Sequence, residues 1–209
     1  MGYKIKEIFY TLQGEGVNTG RPAVFCRFTG CNLWSGQETD RATAICQFCD
    51  TDFVGFDGTF GGDYSAMALA DTIENVWGTT TQFRFVVLTG GEPMLQVDAL
   101  LVEALHAREF LIAVETNGTV KIEEDIDWIC VSPKAGAPVI QQHGNELKVA
   151  VPQQGMDLFA LESWAFDHFF LQPIDNVLQK ENTHWATTWC MQNPKWKLSL
   201  QTHKMIGLR

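Results

Sequence analysis

The sequence carries no basic excess: 15 Lys and Arg stand against 25 Asp and Glu, a formal net charge of −10. Nucleic-acid binders usually show a basic face that tracks phosphates, so nucleic acid is not an expected partner. A small anionic ligand held by a few local cations stays allowed. Long apolar runs are absent too. The first residues, MGYKIKEIFYTLQGEG, contain nothing of signal-peptide length, and no later run is long enough to span a membrane. The expectation is a cytoplasmic protein without a membrane partner, in a compartment where thiols stay reduced. A disulfide framework for its six cysteines is therefore not expected, and metal binding or catalysis is the expected use. There is also no low-complexity tract and no internal repeat.

What remains is an ordinary globular composition, 45% hydrophobic and 19% charged, over 209 residues. A chain of this length buries roughly 70–75% of its unfolded surface, so residues 1–209 are read as a single domain with a large core. Apolar or aromatic runs at 23–28, 83–89, 110–116, 127–132, 146–151, 168–173 and 197–202 read as strands. Most are apolar at both parities, as for strands covered on both faces. Helical periodicity marks 63–77, with Asp63 or Ser65 as its cap, and 97–110; shorter helices are expected within 155–164 and over 181–192. This alternation predicts an α/β fold: a partial, open β/α barrel of about six parallel strands joined by right-handed crossovers. Residues 31–62 show no periodicity and form an irregular loop.

In such folds chemistry gathers at the C-terminal ends of the strands. Here those ends carry Thr29-Gly30-Cys31, Thr89-Gly90-Gly91-Glu92-Pro93, Glu115-Thr116-Asn117-Gly118, Ser132-Pro133-Lys134, Gln172-Pro173 and Gln201-Thr202-His203. Each alone is ordinary turn chemistry; together they occupy one rim.

The cysteines in that rim are spaced Cys31-x14-Cys46-x2-Cys49, with Cys26 upstream. Four thiolates would make a zinc clip, but structural zinc prefers paired ligands on tight knuckles, and Cys26 lies inside an apolar strand. A redox Cys-x-x-Cys leaves Cys31 idle and lacks its usual strand-to-helix setting. An iron–sulfur cluster held by Cys31, Cys46 and Cys49 uses all three and leaves one iron open. On spacing alone the cluster stands only a little ahead of zinc. Cys130 and Cys190 read as small buried residues.

GCNL…CQFCDT after the first of these strands, with GGEP after the next, resembles the radical S-adenosylmethionine enzymes. The usual motif there is Cys-x3-Cys-x2-Cys, so the fourteen-residue gap is a departure. YTLQGEG (10–16), RFTGCNL (27–33), CDT (49–51), LTGGEP (88–93), ETNG (115–118), SPK (132–134), LQP (171–173) and LSLQTHK (198–204) resemble, in order along nearly the whole chain, the 7-carboxy-7-deazaguanine synthases.

The resemblance implies a [4Fe–4S] cluster on Cys31, Cys46 and Cys49, with S-adenosylmethionine as the second cofactor. Gly90, Gly91 and Glu92 would receive its methionyl ammonium, Phe48 would lie beside its adenine, and Thr116, Asn117, Ser132, Lys134 and Gln172 would line the rest. The implied substrate is 6-carboxy-5,6,7,8-tetrahydropterin. Leu12, Gln13, Gly14, Glu15, Gly16, Arg27, Thr89 and His203 would meet it, Arg27 through the carboxylate. Thr51 would ligate Mg²⁺, although Asp50 is the harder ligand from first principles. No side chain is implied as catalytic acid or base. A homodimer and a flavodoxin-like one-electron reductant complete the expectation. The alternatives are a glycyl-radical activase of the same superfamily and a non-enzymatic, zinc-clipped binding module.

Overall fold

The computed structural model of the protein describes residues 2–208. In chain order the elements are β1 (Tyr3–Leu12), β2 (Pro22–Phe28), β3 (Gly62–Tyr64), α1 (Ala66–Trp77), β4 (Phe85–Gly90), α2 (Ala99–His106), β5 (Leu111–Thr116), β6 (Trp128–Val131), β7 (His143–Val151), α3 (Leu158–Leu161), β8 (Ala165–Pro173), α4 (Gln179–Gln192), β9 (Trp196–Leu198) and α5 (Thr202–Met205). Short 3₁₀ turns occupy Glu38–Thr43 and Pro93–Leu95.

The strands form one open sheet in the order β3-β1-β2-β4-β5-β6-β7-β8-β9. From β2 to β9 every pairing is parallel, while β1 and β3 add an antiparallel edge beside β2. The expected open α/β sheet is therefore present, with a parallel run of seven strands rather than about six and a two-strand extension. Sequence patterning misses that extension for a physical reason. Ile5 pairs with Phe28 but Glu7 pairs with Arg27, so one extra residue bulges from β1 and flips its alternation. The buried Lys6 and Glu7 then interrupt an otherwise apolar run. At the other edge the expected strand 197–202 is shorter: β9 stops at Leu198, and Thr202 opens α5.

The helices follow their local signals. Ser65 caps α1 by accepting from Ala68 N, and Asp98 caps α2 by accepting from Leu101 N. Leu69, Ala70, Ile73 and Trp77 of α1 bury one stripe against β1, β2 and α2. A second cluster joins Leu147, Val149 and Val151 of β7 to Leu171, Trp196, Ala186 of α4 and Leu158 and Leu161 of α3.

Both parities of the strands were expected to be apolar and covered, and here the structure differs. On β2, Val24, Cys26 and Phe28 face the helices, whereas Phe25 and Arg27 line a cavity on the opposite face. On β7, Leu147 and Val149 pack in the core while Lys148 and Ala150 line the same cavity. One face of the sheet is thus buried under helices and the other walls a cleft. The two edges approach across that cleft without pairing as strands. Thr202 N and Oγ1 both donate to the Gly14 carbonyl at 3.0 and 2.9 Å, and Gly16 N donates to Ser199 Oγ at 3.0 Å. Among the described residues no helix is long and apolar enough to cross a membrane.

Candidate active site

The cleft has a volume of about 430 Å³ and sits at the C-terminal ends of the parallel strands. Every residue expected there from the sequence lines it except Gly16 and Glu92. Gly16 lies behind the wall, where its positive φ of 63° and the Glu146 carboxylate, 2.0 Å from a hypothetical Cβ, both demand glycine. The Glu92 carboxylate is fully buried beneath the wall. It accepts from Thr116 Oγ1 (2.7 Å), Asn117 N (2.7 Å) and Met94 N (3.0 Å). Burial pushes its pKa up, and those three donors work in the opposite direction.

Cys31, Cys46 and Cys49 all line the cleft. Cys31 follows the tight approach of two strand ends. Glu92 N donates to the Gly30 carbonyl at 2.9 Å, and a Cβ on Gly91 would lie 1.9 Å from that carbonyl oxygen. Gly90 is equally constrained, with φ 125° and the Phe28 carbonyl oxygen 2.2 Å from a Cβ position. Two glycines are therefore needed to seat Cys31 against the end of β4. The Cys46 thiol hydrogen-bonds to Cys49, which lowers the Cys49 pKa to about 6 and raises that of Cys46; burial raises that of Cys31.

The segment between Cys31 and Cys46 has its own small core. Trp34 packs edge-on against Phe53, with ring centroids 5.6 Å apart. Its indole N–H donates to Asp40 Oδ1 and the Gln37 carbonyl, both at 3.1 Å. Arg41 stacks 3.9 Å over the Trp34 ring and donates to the carbonyls of Gln47 (3.2 Å) and Cys49 (3.0 Å). The insertion is thus tied to the Cys-x-x-Cys turn by one guanidinium. Lys6 pins the far end of the loop to β1, with Nζ 2.8 Å from the Val54 carbonyl and 2.8 Å from Asp52 Oδ2.

Cys26 is fully buried among the helix-side residues, on the other face from the three cleft thiols. Burial raises its pKa strongly. Among the described residues no three His, Cys, Asp or Glu side chains gather closely enough to hold a single metal ion. Because Cys26 lies on the opposite face from the three cleft thiols, the four-thiolate zinc clip is overturned. Three thiols facing one cavity, with no fourth cysteine among its lining residues, is a donor set that could hold a cluster through three of its irons.

Lys134 lies 5.9 Å over the Phe48 ring and donates to the Ser132 carbonyl at 2.7 Å. Asn117 Nδ2 donates to Asn32 Oδ1 at 3.0 Å, which links the β5 rim to the cysteine loop. At the mouth, Lys204 bridges Asp50 (2.8 Å) and Asp175 (2.7 Å). Asp50 and Thr51 both line the cleft, and the Asp50 carboxylate is in addition engaged by Lys204. Arg27 donates through Nε to Glu7 Oε1 at 2.9 Å. The His203 ring lies against Gly14, where a Cβ would fall 2.0 Å from Nδ1.

Sequence reasoning placed Glu115 on the rim without a role and missed Lys148; both line the cleft floor. Lys148 Nζ is 2.6 Å from Glu15 Oε2 and 3.3 Å from Glu115 Oε2. The only signal for it is a lysine inside the run ELKVAV, which on its own reads as a snorkelling strand residue.

No protein-family model matches the chain. Among curated proteins it is 57% identical to a 7-carboxy-7-deazaguanine synthase from Burkholderia multivorans and 54% identical to one from Caulobacter vibrioides, each over the full length of both chains. A Haemophilus influenzae protein of the same name is 30% identical over 99% of this chain and 94% of its own. Among solved structures, that of QueE from Escherichia coli superposes with a TM-score of 0.74 at 28% identity, covering 96% of this chain and 94% of that one. The chain belongs to the family of 7-carboxy-7-deazaguanine synthases.

Proposed function

We propose that the protein is a radical S-adenosylmethionine lyase that contracts the ring of 6-carboxy-5,6,7,8-tetrahydropterin to 7-carboxy-7-deazaguanine, with loss of ammonia. The observation that carries this reading is the meeting of Cys31, Cys46 and Cys49 with Gln13, Glu15 and Arg27 in one cleft at the strand ends. A glycyl-radical activase must admit a polypeptide. This cleft is instead bridged by the Thr202–Gly14 contacts and floored by paired charges, which suits a small polar heterocycle.

Cys31, Cys46 and Cys49 would hold the [4Fe–4S] cluster, which with S-adenosylmethionine supplies a hydrogen-abstracting carbon radical. The chain orients that chemistry and keeps water from it. Gly90 and Gly91, which line the cleft, would present their backbone to the methionyl ammonium, and Glu92 would act from beneath by fixing Thr116 and Asn117. Phe48 and Lys134 would bracket the adenine, with Ser132 and Gln172 on the remaining wall. On the substrate side Arg27, steadied by Glu7, would take the carboxylate with its free guanidinium nitrogens. Gln13 and Glu15 would meet the pterin edge, beside Leu12, Gly14, Thr89 and His203. Thr51 would ligate Mg²⁺, since Lys204 already occupies Asp50. A cytoplasmic homodimer fed by a flavodoxin-like reductant completes the reading.

Anaerobic incubation of the reconstituted protein with carboxytetrahydropterin, S-adenosylmethionine, Mg²⁺ and a one-electron reductant tests it. The expected result is 7-carboxy-7-deazaguanine, lost in the Cys31→Ala variant. Wild-type protein that consumes no pterin under these conditions would contradict the proposal.

A further inference from the structure

On the cleft floor two carboxylates share one buried ammonium. The Lys148 side chain is 3% exposed, against 13% for Glu15 and 22% for Glu115, so the lysine lies deepest and the carboxylates rise toward the cavity. Each carboxylate is fixed at both oxygens. Glu15 Oε2 receives Lys148 Nζ at 2.6 Å and Oε1 receives Gln201 Nε2 at 3.0 Å. Glu115 Oε2 faces Lys148 Nζ at 3.3 Å and Oε1 receives Gln13 Nε2 at 2.8 Å. Gln13 is oriented in turn by Glu15 N, which donates to its Oε1 at 3.1 Å. These side chains come from the β1 turn, β5, β7 and the segment after β9, and all line the same cavity.

A buried ammonium without partners would shed its proton, and two carboxylates this close would share one. Each misfortune cancels the other, provided that all three charges are present. A carboxylate oxygen has two lone pairs, so every oxygen here keeps capacity to accept from a ligand. We propose that Lys148 is a positioning residue for substrate selection. It holds Glu15 and Glu115 as a charged pair of acceptors, aimed at a heterocycle edge that carries amino and amide N–H donors. This rests on the pterin reading above and names the specificity device within that site. Without Lys148 one carboxylate would carry a proton and become a donor, which opposes the donors of such an edge and leaves a buried pair unmatched. The other titratable groups facing Lys148 are Glu146 and Cys130, and His203 faces Glu15. Glu146 is turned away from the cavity: it accepts from Val17 N at 3.0 Å and faces the Cys130 thiol at 3.5 Å. Glu15 stays ionised to a pKa of about 2, because burial is outweighed by the charge and hydrogen bond of Lys148.

The test is equilibrium binding of 6-carboxypterin, a stable fluorescent compound with the same amino–amide edge, to cluster-loaded protein between pH 5.5 and 7.5. Wild type is expected to bind with a flat pH profile. Lys148→Met is expected to weaken binding about 10- to 100-fold at pH 5.5, the loss of a charge-supported contact, and to recover toward wild type as the pair ionises. Lys148→Arg should retain most of the affinity. In the Lys148→Met/Glu115→Gln double variant no carboxylate pair remains and the net charge of the wild-type floor is kept, so the profile should be flat again, and this charge-matched floor keeps the test available if the single variant does not fold. Affinity for S-adenosylmethionine and iron content should be unchanged throughout. A Lys148→Met profile indistinguishable from wild type, a double-variant profile that still falls toward pH 5.5, or parallel losses at every pH, would overturn the inference. So would wild type that does not bind 6-carboxypterin. Binding without turnover of carboxytetrahydropterin would instead count against the proposed reaction while leaving the role of Lys148 standing.

Discussion

Glu15 shows how much a single residue depends on partners that are far away in sequence. Read alone, it is an exposed carboxylate in a Gly-flanked loop; in the structure it lies between Lys148 and Gln201. Its pKa is depressed from 4.5 to about 2, so its ionised form is favoured by folding. Such a group contributes stability that is fully present above its unfolded pKa and is lost as pH falls through the folded value. Melting temperature should therefore fall between about pH 4.5 and pH 2 in wild type, and Glu15→Gln should flatten that fall while lowering stability at pH 7. Equal slopes in the two proteins would place the ionisation elsewhere. The residues whose setting the sequence did not reveal are those whose meaning lies in depth. Glu92 was placed at the rim because GGEP ends a strand, but its carboxylate turns under the wall to Thr116 and Asn117. Lys148 went unnoticed and Glu115, though placed on the rim, was given no role, because a strand lysine and a strand-end glutamate are unremarkable until four elements bring them together.

Among elements, periodicity found the parallel strands and the longer helices because those carry uniform apolar stripes. It failed where one residue breaks the rhythm: the β1 bulge at Lys6 reverses the alternation, so β1 was not read as a strand. The cysteine insertion is legible only as irregular. Its order comes from Trp34 and Arg41, which are ordinary residues until one ring lies under one guanidinium. Arg41 also donates to the Gln47 and Cys49 carbonyls, so its removal should loosen the turn that carries Cys46 and Cys49. We expect Arg41→Ala to speed iron release to a chelator several-fold while global stability changes by only about 1–2 kcal/mol, the scale of one stacked cation. Iron release at the wild-type rate would show that the insertion holds its shape without it.

For the whole molecule, the sheet is a device with two different faces. One side is closed by α1, α2, α3 and α4 and supplies the core, while the other face lines the cleft. The sequence predicted the strand-end rim well, because small and polar residues accumulate at those ends and not at the others. It could not predict the two-sided character of the strands, since Phe25, Ala150 and their neighbours are apolar enough to pass for core. Nor could it predict the closure in which Thr202 and Ser199 reach Gly14 and Gly16 from the opposite edge. That two-sidedness also separates the cysteines by role: Cys26 belongs to the core face, and Cys31, Cys46 and Cys49 belong to the cleft. The central claim is that these three thiols hold an iron–sulfur cluster, and metal analysis of the anaerobically purified protein tests it most directly. The account predicts a brown protein with about four irons per chain and no stoichiometric zinc, unchanged in Cys26→Ala and lost in Cys31→Ala. A colourless protein with one zinc per chain that depends on Cys26 would contradict it.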